Sequence, residues 1–125
     1  MRPHERLEVW RMAVEFTVSV YKATDSFPRD ERFGLTSQVR RAAVSVAANI
    51  AEGAGRNSSR EFAYFLSNAQ GSASELAAEL LIAHRLLYLK REQYERLMRT
   101  LDSIGRMIVG LSRNVRAKAA KASDG

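Results

Sequence analysis

Residues 58–90 read SSREFAYFLSNAQGSASELAAELLIAHRLLYLK, and the spacing of their apolar positions decides the fold class. Phe62, Leu66, Ala69, Ala73, Leu76, Leu80, Ala83 and Leu87 follow one another in alternate steps of four and three. That is the period of one helix face and not the two-residue period of a half-buried strand. Ser58 and Glu61 stand in the Ser-x-x-Glu arrangement that caps a helix start. The spacing predicts a helix of about 31 residues, roughly 46 Å long. Gly71 falls inside it, where glycine costs about 1 kcal/mol against alanine. The reading therefore predicts a close backbone approach at Gly71, with a kink as the alternative.

Working outward, Gly53-Ala54-Gly55-Arg56-Asn57 reads as a loop, and a helix from about Leu35 to Glu52 precedes it. Leu35, Val39, Ala42, Ala43, Val46 and Ile50 form its apolar face, small enough for close packing. Before that, Ser26-Phe27-Pro28-Arg29-Asp30 breaks the pattern. Proline pushes Phe27 toward extended backbone, Asp30 is a candidate cap, and Gly34 marks a bend. The first helix is predicted from about Arg6 to Thr24, with two adjacent apolar rows. Leu7, Trp10, Val14, Thr17 and Tyr21 form one; Val9, Ala13, Phe16 and Val20 form the other. One row suffices for a bundle core, so two predict burial against another subunit as well. Trp10 and Tyr21 are assigned to the core, and Val9, Phe16 or Val20 to a subunit contact.

After a tight connection near Lys90, Tyr94, Leu97, Leu101, Ile104, Ile108, Leu111 and Val115 predict a fourth helix. The short connection makes it the antiparallel neighbour of the third. The chain is thus all-α, with one domain over residues 1–116. Residues 117–125 lack large apolar side chains and read as a basic, mobile tail.

Composition narrows the chemistry. The 125 residues contain no cysteine, which excludes disulfide scaffolds, zinc fingers, iron–sulfur clusters and thiol catalysis, and fits a reducing cytoplasm. The charged start carries no signal-peptide core, and no apolar run is long enough to span a membrane. Lys and Arg total 20 against 14 Asp and Glu, giving a net charge of +6. Sixteen of the 20 are Arg, whose planar fork suits phosphate, so nucleic acid is the first candidate partner.

Catalysis finds little support. His4 lies in a start read as disordered, and His84 at the edge of the third helix's seam. No Glu-x-x-His pair exists for a di-metal bundle, so neither a metal nor a cofactor is expected. Glu75 and Glu79 share one face of the third helix and are expected to flank the core and pair with arginines. Gly53-Ala54-Gly55 lacks the strand and the Lys-Ser/Thr ending of a phosphate loop. Asn49 sits beside the packed face, with Gln38, Arg41 and Glu52 as possible hydrogen-bond partners. This group, with Phe16, is assigned a structural or interface role.

The basic residues of the fourth helix stand out. Arg99, Arg106 and Arg113 repeat at seven-residue spacing on the position farthest from the seam, roughly 10 Å apart per step. Arg96 flanks the line, and Arg116, Lys118 and Lys121 extend it, with Asp102 the lone acid between Arg96 and Lys121. A solvated face is the plain alternative. The local bias and the choice of Arg favour phosphate contacts, while the absence of aromatics speaks against base stacking.

Several strings also carry a resemblance. Phe27-Pro28, Glu31, Phe33-Gly34-Leu35-Thr36-Ser37-Gln38, Arg40-Arg41-Ala42-Ala43, Asn49-Ile50-Ala51-Glu52-Gly53, Glu61-Phe62, Phe65-Leu66 and Gly71-Ser72 with Glu75-Leu76 occur in the order of one pattern. Over residues 7–112 the chain resembles the 23S rRNA intervening sequence proteins. The resemblance implies an antiparallel up-down four-helix bundle, a ring-like homopentamer and a bacterial source. A relative, the accessory variability determinant of diversity-generating retroelements, is a basic pentamer that associates with a reverse transcriptase and nucleic acid. Two readings result. One is a non-enzymatic oligomer that binds RNA or nucleoprotein through phosphates. The other is a scaffold ring that recruits a partner enzyme such as a reverse transcriptase.

Overall fold

The computed structural model describes residues 2–124. Among them are four α-helices, α1 (Glu8–Thr24), α2 (Leu35–Ala54), α3 (Ser59–Arg85) and α4 (Arg91–Asp124). Two short 3-10 turns, Pro3–Arg6 and Arg29–Glu31, complete the described elements, and there is no strand.

Successive helices run antiparallel. The Thr17 hydroxyl on α1 lies 2.8 Å from the Ala13 carbonyl and 3.2 Å from the Ala43 carbonyl on α2. Further along that pair, Arg40 Nε donates to Thr24 Oγ1 at 2.8 Å and the guanidinium lies 4.6 Å from the Tyr21 ring centroid. Ser45 and Ser72 meet across α2 and α3 with their hydroxyls 2.8 Å apart. His84 stacks on Tyr94 at 4.5 Å, joining the end of α3 to the start of α4. Helix α1 packs on α2 and α4, and α3 packs on the same two, so the four surround a single core.

That core is the periodic set of each helix. Leu66, Leu76, Leu80, Ile50, Ile104 and Ile108 are fully enclosed, each contributing about 1.5–3 kcal/mol relative to exposure. All six apolar residues expected on the α2 face are buried. On α1 the two rows change places. Val9, Ala13, Phe16 and Val20 line the core, whereas Trp10 is half-buried and Tyr21 is 42% exposed. Phe16, assigned to a subunit contact by its sequence position, is buried in the core of this chain. The smaller row faces inward because Ala13 and the flanking valines let α1 approach its neighbours closely.

Glycine placement also corrects an expectation. A Cβ on Gly71 would meet nothing within 4 Å, so no close approach explains it. A Cβ on Gly53 would stand 2.8 Å from both Phe62 Cδ1 and Phe65 Cβ, so the α2–α3 crossing requires glycine there.

The chain ends differ too. His4, placed in a disordered start by sequence, sits in a 3-10 turn with its ring 4.5 Å from Trp10 in a T-shaped contact. Residues 117–124, read as a tail, continue α4. Alanine and lysine are strong helix formers, which accounts for the continuation without any apolar face.

Helix α3 stops at Arg85, short of the Leu87 expected from its spacing. Leu87 turns left-handed at φ 67°, and the Tyr88 and Leu87 amides donate to the Ala83 and His84 carbonyls at 2.9 and 3.0 Å. This is the paired closure usually built on glycine. It sends Leu89 back into the core and leaves Leu87 itself 89% exposed.

The other turn at this end is tied to it by Glu31. Its Oε1 accepts the Leu35 amide at 3.2 Å, capping α2, and its Oε2 accepts the Tyr88 hydroxyl at 3.0 Å. That hydrogen bond to a carboxylate holds the Tyr88 pKa above its ordinary value. Glu31 thus fills the capping role assigned to Asp30.

Candidate nucleic-acid interface

Helix α4 buries Leu97, Leu101, Ile104, Ile108 and Val115 and turns its opposite side to solvent. Arg99, Arg106 and Arg113 are exposed on that side, and Arg96, Arg116, Lys118 and Lys121 are exposed as well. Among the described residues, none of these seven forms a salt bridge; the four pairs present involve Arg40, Arg56 and Arg91. Arg106 donates only to the neutral Ser103 hydroxyl, at 3.2 Å. The line is a row of uncompensated guanidinium groups, free to meet phosphate oxygens.

Two grooves border this row. Between α3 and α4, Arg106 and Arg113 rim a hollow of about 600 Å³ whose floor includes Ala73, Ala77, Gly105 and Gly110. Arg96 lies apart, in a groove of about 380 Å³ between α1 and α4, with Phe16 and Leu97. The line of three and its flanking arginine therefore look onto different sides of α4.

The group around Asn49 is not a single cluster. Asn49 Nδ2 donates to the Ser45 carbonyl at 2.9 Å and lies 3.0 Å from Ser45 Oγ. Gln38, Arg41 and Glu52 take no part in those bonds. Glu52 pairs with Arg56, which also reaches Glu61 at 3.9 Å and covers the Phe65 ring. Gln38 and Arg41 instead line the α2–α3 groove with Glu75. Ser45, absent from the sequence assignment, is the residue that satisfies Asn49. Its four-residue spacing from Asn49 was the available signal.

Glu75 and Glu79 also depart from expectation, since neither pairs with an arginine. Glu79 is only 6% exposed, and its Oε1 is buried without a hydrogen-bond partner. Burial, then the charge and carboxyl of Glu75, push the Glu79 pKa up from 4.5 to about 7. Among the described residues no group of three or more His, Cys, Asp or Glu side chains is placed to hold a metal, and no helix is long and apolar enough to cross a membrane.

The model of the 23S rRNA-intervening sequence protein family matches residues 5–110. The chain belongs to that family. A solved structure, a protein of unknown function from the S23 ribosomal protein family of Bacteroides thetaiotaomicron, is similar with a TM-score of 0.78 at 25% identity. The similarity covers 84% of this chain and 95% of that one. No curated protein matches the chain. The matched span includes Arg96, Arg99 and Arg106. Arg113, Arg116, Lys118 and Lys121 lie beyond it. The strings that carried the resemblance have structural work here: Glu31 and Leu35 form the α2 cap, and Gly53 permits the α2–α3 crossing.

Proposed function

We propose that this protein is a non-enzymatic, oligomeric helical bundle that binds RNA or nucleoprotein through phosphate contacts on α4. The observation that carries the reading is the line Arg99, Arg106 and Arg113, exposed and without a carboxylate partner. Phosphate contacts position a protein without reading sequence, and no aromatic side chain stands on the line to stack bases. Self-assembly, as a pentamer by the family resemblance, would repeat the line once per subunit and multiply weak contacts. Val18 and Tyr21 on α1 and Val44 on α2 are apolar surface that such a contact would cover.

The triple Arg→Ala variant at 99, 106 and 113 tests the reading. It should fold and assemble as the parent does, because surface changes usually alter stability within about 0.5 kcal/mol. Each lost phosphate contact should reduce the slope of log K against log salt by roughly 0.7–0.9. Unrelated RNA sequences should be weakened alike, and Arg→Lys should restore part of the binding. Unchanged affinity at every salt concentration would reduce the face to a solvated surface. Light scattering gives the subunit number, and a stable 14.0 kDa monomer at micromolar concentration would remove the oligomeric part.

A scaffold role recruiting a partner enzyme draws on a different feature, Phe33 and Leu87, each about nine-tenths exposed at one end of the bundle. Nucleic-acid binding that requires a partner protein would favour it.

A further inference from the structure

Phe33 is 90% exposed, although phenylalanine is among the side chains most often buried. It does not hang on a loose loop. The turn before it is anchored by the buried Phe27, whose ring lies 5.4 Å from that of Tyr88. Glu31 fastens the same turn by accepting the Leu35 amide and the Tyr88 hydroxyl. The Gly34 amide donates to the Glu31 carbonyl at 2.9 Å, closing the backbone around Phe33 itself. The Arg32 guanidinium lies 5.5 Å from the Phe33 ring centroid. The side chain is thus a fixed apolar knob with a cation beside it.

A hollow of matching character is open elsewhere on the surface. The groove of about 380 Å³ between α1 and α4 is floored by Met12, Phe16, Ala23 and Leu97, and Phe33 of the same chain does not line it. Its rim carries one acid, Glu15, which is exposed and makes no ion pair. Lys22 and Arg96 stand on the same rim. Asp30, in the turn that leads to Phe33, is likewise exposed and unpaired. Knob and groove lie at one level of the bundle. The groove opens at Ala23 and Gln93, in the last turn of α1 and the first turn of α4, and Phe33 sits in the connection that follows α1.

From this arrangement we propose that Phe33 of one copy seats in the α1–α4 groove of the next, with Arg32 on Glu15 and Asp30 on the Lys22 and Arg96 side of the rim. The inference rests on the oligomeric part of the function proposed above and names its contact. Two different surfaces meet, so the contact is head-to-tail and repeats from copy to copy, making a ring where the rotation closes. A shared level suits that closure, because rotation about an axis parallel to the helices keeps each knob at the height of its neighbour's groove. One phenylalanine buries about 150–250 Å², well short of the roughly 1,200–2,000 Å² of a stable interface. The exposed Val18, Tyr21 and Val44 offer further apolar area to the same neighbour. Phe33 is the anchor of the contact, since a side chain held in place beforehand loses little freedom on docking.

Cross-linking tests the polarity of this contact, since the chain has no native cysteine. Arg32→Cys puts a thiol beside the knob and Ser19→Cys puts one on the groove rim, both at exposed positions. The two full-length variants, co-expressed and treated with a short bis-maleimide, should give covalent dimers of one with the other. Neither variant alone should cross-link. Adding Phe33→Ser to the Arg32→Cys chain should lower the yield by about tenfold or more, as the loss of an interface anchor does. Helical circular dichroism should stay unchanged, because Phe33 lies outside the core. Light scattering on the parent separates the two levels of the argument. A monomeric parent would remove the oligomeric reading and this contact with it. A parent that assembles would leave that reading standing, and three results would then overturn the contact alone: Arg32→Cys chains joined to one another, no cross-link in the mixture, or a yield that Phe33→Ser leaves unchanged.

Discussion

Glu79→Gln should make the protein more stable above neutral pH and erase a pH dependence that the parent carries. The folded-state pKa of Glu79 is about 7 against an ordinary 4.5, because burial and the neighbouring Glu75 disfavour its charged form. A folded state that holds its proton more tightly than the unfolded chain gains stability when that proton is present. The contribution is complete below about pH 4.5, declines as pH rises toward 7, and is gone above it. At about 1.4 kcal/mol for each tenfold change in proton affinity, the loss amounts to about 3 kcal/mol. Glutamine keeps a neutral hydrogen-bonding group of similar size and does not titrate. Urea unfolding of parent and variant, at one protein concentration across this range, isolates the effect by difference. With slopes of about 1–3 kcal/mol per molar urea, the variant's midpoint should exceed the parent's by roughly 1–3 M above neutrality. Below about pH 4.5 the two should converge. Parallel pH profiles would show that Glu79 titrates alike in the folded and unfolded chain, and would refute the inference from its burial.

Four further outcomes follow from local geometry. Leu87→Gly should stabilise by about 1 kcal/mol in thermal or urea unfolding, since it relieves a left-handed leucine and exposes no core. Gly71→Ala should stabilise by about 0.5–1 kcal/mol, whereas Gly53→Ala should destabilise by about 1–3 kcal/mol because its Cβ meets Phe62 and Phe65. Ser58→Ala should cost about 1 kcal/mol, because its hydroxyl accepts the Glu61 amide at 3.1 Å as the N-cap of α3. Chemical denaturation of each variant measures all four.

The helices were legible because each carries an uninterrupted step of three and four, and on α2, α3 and α4 that step marks the core. On α1 it was ambiguous. Trp10–Val14–Thr17–Tyr21 and Val9–Ala13–Phe16–Val20 share one period, and only the packing distance to α2 and α4 decides which row turns inward. The basic line was equally plain, since seven-residue spacing against a known seam fixes its side of α4. Glu79 was missed because the seam was drawn through Leu76, Leu80 and Ala83. Ser72, Leu76, Glu79 and Ala83 also step by four, three and four, and that second row faces into the bundle. The spacing places Glu75 and Glu79 beside the core with arginine partners, whereas Glu79 turns inward with none. Glu31 went unseen as a cap for another reason. Its two oxygens serve Leu35 and Tyr88, the latter 57 positions away, and no local pattern encodes the second partner.

That single carboxylate also bears on how the bundle opens. It holds the first turn of α2 and the turn leading into α4, so each hairpin has an end fastened to the other. Local opening of either segment must release the same group. In native-state hydrogen exchange the Leu35 and Tyr88 amides should therefore belong to one cooperative unit and respond together to denaturant. Glu31→Ala should uncouple them, and the two hairpins would then fray at separate free energies.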